Sequence, residues 1–129
     1  MTQFPTPNGG RALIIEDEFL IALDLEATMF KLGFDVCALA PSAQKARSLA
    51  MNDLPDVALV DVYLGGSRDG IEVARWLREV CEVPIVFVTA NNDADTVERI
   101  HEQVPDAPVL AKPVFRHQLA DAIATVTIH

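Results

Sequence analysis

Short apolar runs alternate with segments of helical periodicity along most of the chain. Residues 12–15, 57–60 and 85–88 are continuous apolar runs, as is typical of strands that are buried on both faces of a sheet. After each run, apolar residues recur at intervals of three and four, which indicates an amphipathic helix. The alternation predicts a parallel sheet with helices on both faces, joined by right-handed crossovers.

The pattern divides the chain into five strand–helix units. The predicted strands are 12–15, 34–40, 57–60, 85–88 and a fifth within 105–111. The predicted helices are 19–32, 43–51, about 93–104 and 114 to about 127. A further helix, between the third and fourth strands, carries Ile71, Ala74 and Leu77. In the first helix, the stripe that we expect to face the core is apolar throughout and consists of Leu20, Leu23, Ala27 and Phe30.

The first ten residues differ from the rest of the chain. Residues 1–10 contain two Pro and two Gly and no apolar core, so they predict a flexible N-terminal tail rather than a secretion signal. Residues 11–129 are the right size for one folded domain, because a domain of this length buries roughly two-thirds of the surface of its unfolded chain. We therefore expect a single α/β domain with no second domain.

The composition excludes several classes of protein. The formal charge is -9 and 50% of the residues are hydrophobic. The negative charge argues against direct binding of nucleic acid or of anionic membranes, which both attract basic patches, and the apolar content argues against disorder. Cys37 and Cys81 are too few for a disulfide scaffold. No apolar run approaches the roughly 18 residues of a membrane span, so we expect a cytoplasmic protein.

Ionisable or hydroxyl side chains follow four of the five predicted strands. Glu16 and Asp17 follow the first, Asp61 the third, Thr89 ends the fourth, and Lys112 follows the fifth. Functional groups in such sheets collect outside the carboxyl ends of the strands. Taken singly, each residue has an ordinary structural role as a helix cap, a charged first turn or a surface residue. Their coincidence at one edge favours a functional site.

The charges at this edge predict a metal-dependent phosphorylation site. Two like charges about 4 Å apart repel by about 4 kcal/mol at an effective dielectric near 20, so the three carboxylates require a cation or a raised pKa. Mg2+ fits, since it takes carboxylate, water and phosphate oxygens. Lys112 and Thr89 would contact an anionic phosphoryl group, and a carboxylate can act as the nucleophile that forms an acyl phosphate.

Four motifs at these positions resemble those of response-regulator receiver domains of two-component signalling. They are residues 14–18 (IIEDE), 58–62 (ALVDV), 85–90 (IVFVTA) and 110–113 (LAKP), and the resemblance extends from about residue 11 to residue 126. It implies a single-domain, chemotaxis-regulator-like receiver with a doubly wound, five-stranded parallel sheet in the order 2-1-3-4-5 and five helices. It also implies a cis peptide between Lys112 and Pro113.

The resemblance also implies the roles of the site residues. It makes Asp61 the phosphoacceptor. The groups that it implies for Mg2+ are Glu16, Asp17, Asp61 and the backbone carbonyl of Tyr63. It implies that Thr89 and Lys112 contact the phosphoryl oxygens.

One position departs from the family pattern. Many receivers carry Tyr or Phe three residues before the lysine, whereas this chain has Val109. Phe115 is a possible substitute, but we expect it to be a core residue at the start of the last helix. The fourth helix has only a thin apolar stripe, Val97, Ile100 and Val104, which suits a mobile switch element. We expect partners to bind the face formed by the last two helices and the fifth strand.

We therefore expect a stand-alone receiver that takes a phosphoryl group from a histidine kinase or a histidine phosphotransfer protein. It would catalyse only its own phosphorylation and dephosphorylation, and its output would be protein binding or phosphorelay, as a monomer or a weak phosphorylation-dependent dimer. The alternatives are a receiver fragment of a longer regulator and, less favoured, a Mg2+-dependent phosphohydrolase with an Asp nucleophile, for which Tyr63 occupies the place of a second Asp. A flavin-phosphate binder and a docking-only pseudo-receiver fit the residues less well.

Overall fold

Strands and helices alternate strictly in the computed structural model, which describes residues 10–127 apart from the side chains of Val36 and Cys37. The predicted tail lies outside the described residues, except that Gly10 begins the first strand. The elements are β1 (Gly10–Ile15), α1 (Phe19–Lys31), β2 (Phe34–Ala40), α2 (Ala43–Asn52), β3 (Val57–Val60), α3 (Asp69–Val80), β4 (Ile85–Thr89), α4 (Ala94–Gln103), β5 (Val109–Ala111) and α5 (Arg116–Thr127).

The five strands form one parallel sheet in the order β2-β1-β3-β4-β5. The predicted fold class and strand order are therefore confirmed. The strand order reverses between β1 and β3, and such a switch point opens a crevice at the carboxyl edge of the sheet. β1, β3 and β4 occupy the centre, so the residues that follow them are carried by the most deeply buried part of the fold.

The sheet separates two apolar cores, because successive side chains of a strand point to opposite faces. On one face, Leu13 of β1 packs with residues of α2, α3 and α4, including Leu77 and Ile100. On the other face, Ile14 packs with residues of α1 and α5, including Met29. A strand covered on both faces has no polar side, which explains the continuous apolar runs in the sequence.

The predicted orientation of α1 is wrong. The buried residues are Ala22, Leu25 and Met29, whereas all four residues predicted to face the core are exposed: Leu20, Leu23, Ala27 and Phe30. Both sets are apolar and both recur at intervals of three and four, so the helix carries two apolar stripes. Periodicity alone cannot decide which of two such stripes meets the sheet.

Two smaller differences concern the C-terminal part of the fold. The prediction that Phe115 belongs to the core is wrong, because its side chain is 58% exposed and its ring stacks on His117. The fifth strand is confined to Val109–Ala111, and α5 begins at Arg116. Among the described residues, the structure contains no helix that is long and apolar enough to cross a membrane.

Gly70, in the first turn of α3, packs directly against the end of β3. A Cβ atom at this position would lie 1.8 Å from the carbonyl oxygen of Asp61 and 2.8 Å from that of Val62. The Gly70 N–H also donates a 3.0 Å hydrogen bond to the Val62 carbonyl. Any side chain here would push α3 away from the residue that carries the central carboxylate of the sheet edge.

We predict that the two apolar stripes of α1 differ sharply in their contribution to stability. Leu25→Ala should lower the free energy of unfolding by about 3 kcal/mol, since it leaves a cavity in the core. Leu20→Ala should change it by less than about 0.5 kcal/mol, because Leu20 is 79% exposed. Denaturant unfolding followed by circular dichroism measures both values, and equal losses would contradict the orientation of α1 described above.

We also predict that Gly70→Ala lowers the free energy of unfolding by about 3 kcal/mol, because the new methyl group collides with fixed backbone atoms. Gly66→Ala is the matched control, since Gly66 has φ 88° but open space around its Cα. It should cost only about 1 kcal/mol, the strain of a left-handed conformation. A Gly70 variant as stable as the Gly66 variant would disprove the close approach.

Candidate functional site

Three carboxylates meet at the carboxyl edge of the sheet, where β1 and β3 end. One oxygen each of Glu16, Asp17 and Asp61 lies within 4.8 Å of the others. Backbone hydrogen bonds fix them, because Asp61 N donates to the Ile15 carbonyl at 2.9 Å and Glu16 N donates to the Ala40 carbonyl at 3.0 Å. The ladder of the sheet thus continues one residue beyond each strand and carries the acidic side chains with it.

Lys112 joins two of these carboxylates from the far side of the site. Its Nζ donates to Glu16 Oε1 at 2.6 Å and to Asp61 Oδ2 at 3.1 Å. The backbone N–H of Lys112 donates to the Thr89 carbonyl at 3.0 Å, which places the lysine at the end of the β4–β5 ladder. The peptide bond between Lys112 and Pro113 is cis, as the family resemblance implies.

Burial and mutual proximity shift the pKa values of this cluster. Burial raises the pKa of Glu16 above its ordinary value, and the hydrogen bond from Lys112 offsets only part of that effect. Burial by itself would lower the pKa of Lys112, but its hydrogen bond to Glu16 and the charge of Asp61 outweigh burial, so the net shift is upward. Lys112 therefore stays cationic and neutralises part of the acidic cluster.

The donor set suits a hard divalent cation. The three carboxylates carry more negative charge than Lys112 can offset, and oxygen ligands of this kind are those that Mg2+ takes, with waters in the remaining positions. Asp17 is exposed and accepts a 3.0 Å hydrogen bond from Gly65 N, and Asp61 Oδ1 accepts a 3.3 Å hydrogen bond from Tyr63 N. These bonds hold the carboxylates in fixed orientations around a common centre.

Thr89 reaches the same edge from β4 but directs its hydroxyl elsewhere. The residue is fully buried, and its Oγ1 donates to the Asn91 carbonyl at 3.3 Å and accepts from Asn91 N at 3.2 Å. A cavity of about 250 Å³ opens beside it, with Asp61 and Lys112 also in its lining. This cavity is the space in which a phosphoryl group could meet all three side chains.

Two features of the site do not follow from the sequence reasoning. The loop glycine Gly65 holds Asp17 through its N–H at a positive φ of 63°, and the Gly65–Gly66 pair is the one signal in the sequence for such a loop. The hydroxyl of Tyr63 lies 3.0 Å from that of Thr96 in α4. No motif signals this second contact, because its two members come from elements far apart in the chain.

Comparisons with known proteins agree with this geometry. A family model described as the response regulator receiver domain matches residues 12–124. The chain is 34% identical over 118 residues to the transcriptional regulatory protein PdtaR of Mycobacterium tuberculosis. The aligned segment covers 92% of this chain and 55% of PdtaR. It is 39% identical over 79 residues to the phyllosphere-induced regulator PhyR of Methylorubrum extorquens, covering 60% of this chain and 30% of PhyR.

A solved structure extends the likeness to three dimensions. The signal receiver domain of a modulated diguanylate cyclase from Desulfovibrio desulfuricans superimposes with a TM-score of 0.82 at 36% identity, covering 92% of this chain and 93% of that one. The chain spans about half the length of PdtaR and a smaller part of PhyR. Because the matched segment includes every strand end described above, this chain belongs to the response regulator receiver domain family.

Proposed function

We propose that Asp61 accepts a phosphoryl group from a phosphohistidine, and that Mg2+ is held by Glu16, Asp17, Asp61 and the backbone carbonyl of Tyr63. The observation that carries this proposal is the placement of Lys112 Nζ within hydrogen-bond distance of both Glu16 and Asp61. A cation that already bridges the acidic cluster can transfer its hydrogen bonds to an arriving phosphoryl oxygen. When bound, Mg2+ would neutralise charge on the phosphoryl oxygens.

In the proposed reaction, one carboxylate oxygen of Asp61 forms a bond to phosphorus. The bond between phosphorus and the donor imidazole nitrogen breaks, and its electron pair stays on that nitrogen, so atoms and charge balance. Lys112 holds one phosphoryl oxygen by charge, and Thr89 donates a hydrogen bond to another after it leaves Asn91. These groups position and stabilise the transferred group, which is most of what phosphoryl transfer requires. A water later attacks phosphorus, releases inorganic phosphate and restores the carboxylate.

The proposed activity is limited to the chain's own modification. Receiver domains are signalling modules, and we propose that this chain catalyses no reaction beyond its phosphorylation and dephosphorylation. Its output would be the binding of a downstream protein or passage of the phosphoryl group to another protein. The names of PdtaR and PhyR describe regulators, which supports a regulatory output of this kind.

The surface of α1 supports a specific mode of donor binding. We name the α1 stripe after its exposed apolar residues: Phe19, Leu20, Leu23, Ala27 and Phe30. It begins two residues after Asp17 in the chain. A groove of about 350 Å³ is lined by other residues of the same helix, Ile21, Asp24 and Leu25, and reaches Lys112. The groove and the α1 stripe thus lie on the same helix, which begins next to the acidic residues that follow β1.

We propose that this surface binds the helix that carries the phosphohistidine. From Leu20 to Phe30 the stripe runs about 15 Å along the helix axis, a length suited to side-by-side packing with another helix. An apolar helix face is a common partner for such a stripe. A donor docked there would bring an imidazole on its own helix toward Asp61 without any change in the sheet.

The phosphorylation proposal predicts that the protein gains one phosphoryl group when incubated with acetyl phosphate and Mg2+. Intact-mass spectrometry measures the gain, and chelation of Mg2+ should abolish it. Asp61→Asn should gain none. Asp56→Asn is the matched control, since Asp56 binds Arg11 N at the opposite edge of the sheet, and it should react as the unmodified protein does. Phosphorylation of the Asp61 variant at the normal rate would refute the assignment.

The docking proposal predicts that Leu20→Glu slows phosphotransfer from a protein donor. A profile of purified histidine kinases and phosphotransfer proteins first identifies the donor. The rate with that donor should then fall at least about fivefold, because charging a central interface residue costs more than about 1 kcal/mol. The rate with acetyl phosphate should not change. Leu54→Glu, at another exposed leucine between α2 and β3, should leave both rates unchanged. Equal rates for the two variants would exclude α1 as the docking site.

A further inference from the structure

Helix α4 is attached to the rest of the fold largely through polar side chains. Thr96 and Ile100 are its buried residues. Three arginines link the α3 segment to α4 and to the turn after it: Arg68 Nη2 donates to Asp95 Oδ2 at 2.9 Å, Arg75 Nη1 to Gln103 Oε1 at 2.9 Å, and Arg78 Nε and Nη2 to Asp106 Oδ2 at 3.3 and 3.1 Å. Exposed polar links of this kind contribute little to stability, so these arginine contacts alone do not fix the position of α4.

The first turn of α4 also contacts the loop that follows the acceptor. Thr96 Oγ1 is 3.0 Å from the hydroxyl of Tyr63, and Arg68 Nε donates to that same Tyr63 hydroxyl at 3.2 Å. Thr96 is fully buried. Its N–H and its hydroxyl bind the two carboxylate oxygens of Asp93, the N-cap residue of α4. We call Tyr63, Arg68, Asp93 and Thr96 the α4 clamp.

The hydrogen bonds of the α4 clamp run in one direction. The hydrogen bond from the Thr96 N–H lowers the pKa of Asp93, so Asp93 is ionised and can only accept. The Thr96 hydroxyl must therefore donate to Asp93, which leaves its oxygen to accept from the Tyr63 hydroxyl. Arg68 has no acceptor atoms and donates to Tyr63. Every member of the chain is satisfied, and such chains strengthen their own bonds.

Two members of the clamp, Tyr63 and Asp93, are linked through their backbone N–H groups to the phosphorylation site. Tyr63 N donates to Asp61 Oδ1 at 3.3 Å. On the other side, Asn91 Oδ1 accepts from Asp93 N at 3.3 Å, and the backbone of Asn91 is bound to the Thr89 hydroxyl. The N-cap of α4 is thus connected to the acceptor through the loop after β3 and to Thr89 through the loop after β4.

We propose that the α4 clamp, together with the Thr89–Asn91 link, couples the state of Asp61 to α4 in this chain, an inference that rests on the proposed phosphorylation of Asp61. At the position on β5 where many receivers carry an aromatic residue, this chain has Val109, which packs half-buried against the core. A valine has no hydroxyl to exchange partners when Thr89 moves. The clamp instead supplies hydroxyl and guanidinium groups that respond to changes on either side of the site.

Phosphorylation changes both ends of the connection at once. Transfer of a phosphoryl group to Asp61 moves negative charge from the carboxylate to the phosphoryl oxygens, which weakens the hydrogen bond from Tyr63 N. The Thr89 hydroxyl turns to a phosphoryl oxygen, since a charged acceptor binds it more strongly than the Asn91 carbonyl does. The backbone of Asn91 then loses its contact with Thr89, which loosens the loop whose Asn91 side chain accepts from Asp93 N at the first turn of α4.

The test is hydrogen exchange of the Thr96 and Val97 amides, measured by NMR with and without acetyl phosphate and Mg2+. In the unmodified chain, phosphorylation should speed this exchange. Thr96→Val keeps the shape but removes the hydroxyl, so the unphosphorylated variant should exchange about fivefold faster, the effect of one lost hydrogen bond. Phosphorylation should then add little. Thr96→Ser, which restores the hydroxyl, should recover the response of the unmodified chain.

Intact mass, measured on the same samples, separates the possible failures. If the unmodified chain gains no phosphoryl group, the proposed function fails and the coupling fails with it. If it gains one but the exchange of α4 does not change, only the coupling is overturned. The coupling is also overturned if Thr96→Val responds to phosphorylation as the unmodified chain does, or if Thr96→Ser behaves like Thr96→Val. Tyr63→Phe and Thr96→Val should have non-additive effects on exchange, because both remove the same bond.

Discussion

The interaction on which the site depends is the pairing of Lys112 with two buried carboxylates. A parallel sheet with β1 next to β3 forces Glu16 and Asp61 to the same edge, and their proximity would be costly without a cation. Lys112 reaches them from the end of β5, beyond β4, and both carboxylates lie within 3.1 Å of its ammonium group. The resting site therefore balances part of its charge internally, and the remainder is available to a metal ion.

This charge balance allows Lys112 to exchange one anionic partner for another. Breaking a buried ion pair by removing one partner is expensive, whereas exchanging one anion for another preserves the pairing. In the proposed reaction, a phosphoryl group would bring new anionic oxygens to the cavity beside Thr89 and Lys112, so the ammonium could change partners without losing its charge compensation. Thr89 would have the same property, since in the proposed reaction its hydroxyl would exchange the Asn91 carbonyl for a phosphoryl oxygen. The buried sheet can remain fixed while only side-chain partners change.

The sequence predicts which residues lie together wherever backbone geometry alone determines their placement. Parallel strands that are buried on both faces place the residues after them at one edge, so Asp17, Asp61 and Lys112 can be grouped from the sequence alone. The face of α1 cannot be predicted in this way, because two apolar stripes satisfy the same period and only packing against the sheet distinguishes them. The contact between Tyr63 and Thr96 is equally inaccessible, since it joins the ends of separate elements whose approach depends on tertiary packing.

The size of the coupling determines how such a switch would be used. Two hydroxyl contacts are altered in the proposed transition, that of Thr89 with Asn91 and that of Thr96 with Tyr63, and each bond contributes about 1 kcal/mol. A full reversal of a two-state population from 1:99 to 99:1 requires about 5.5 kcal/mol. Phosphorylation acting through these bonds would therefore move α4 only part of the way. A partner that binds the released helix more tightly must supply the rest, which makes partner binding and phosphorylation mutually reinforcing.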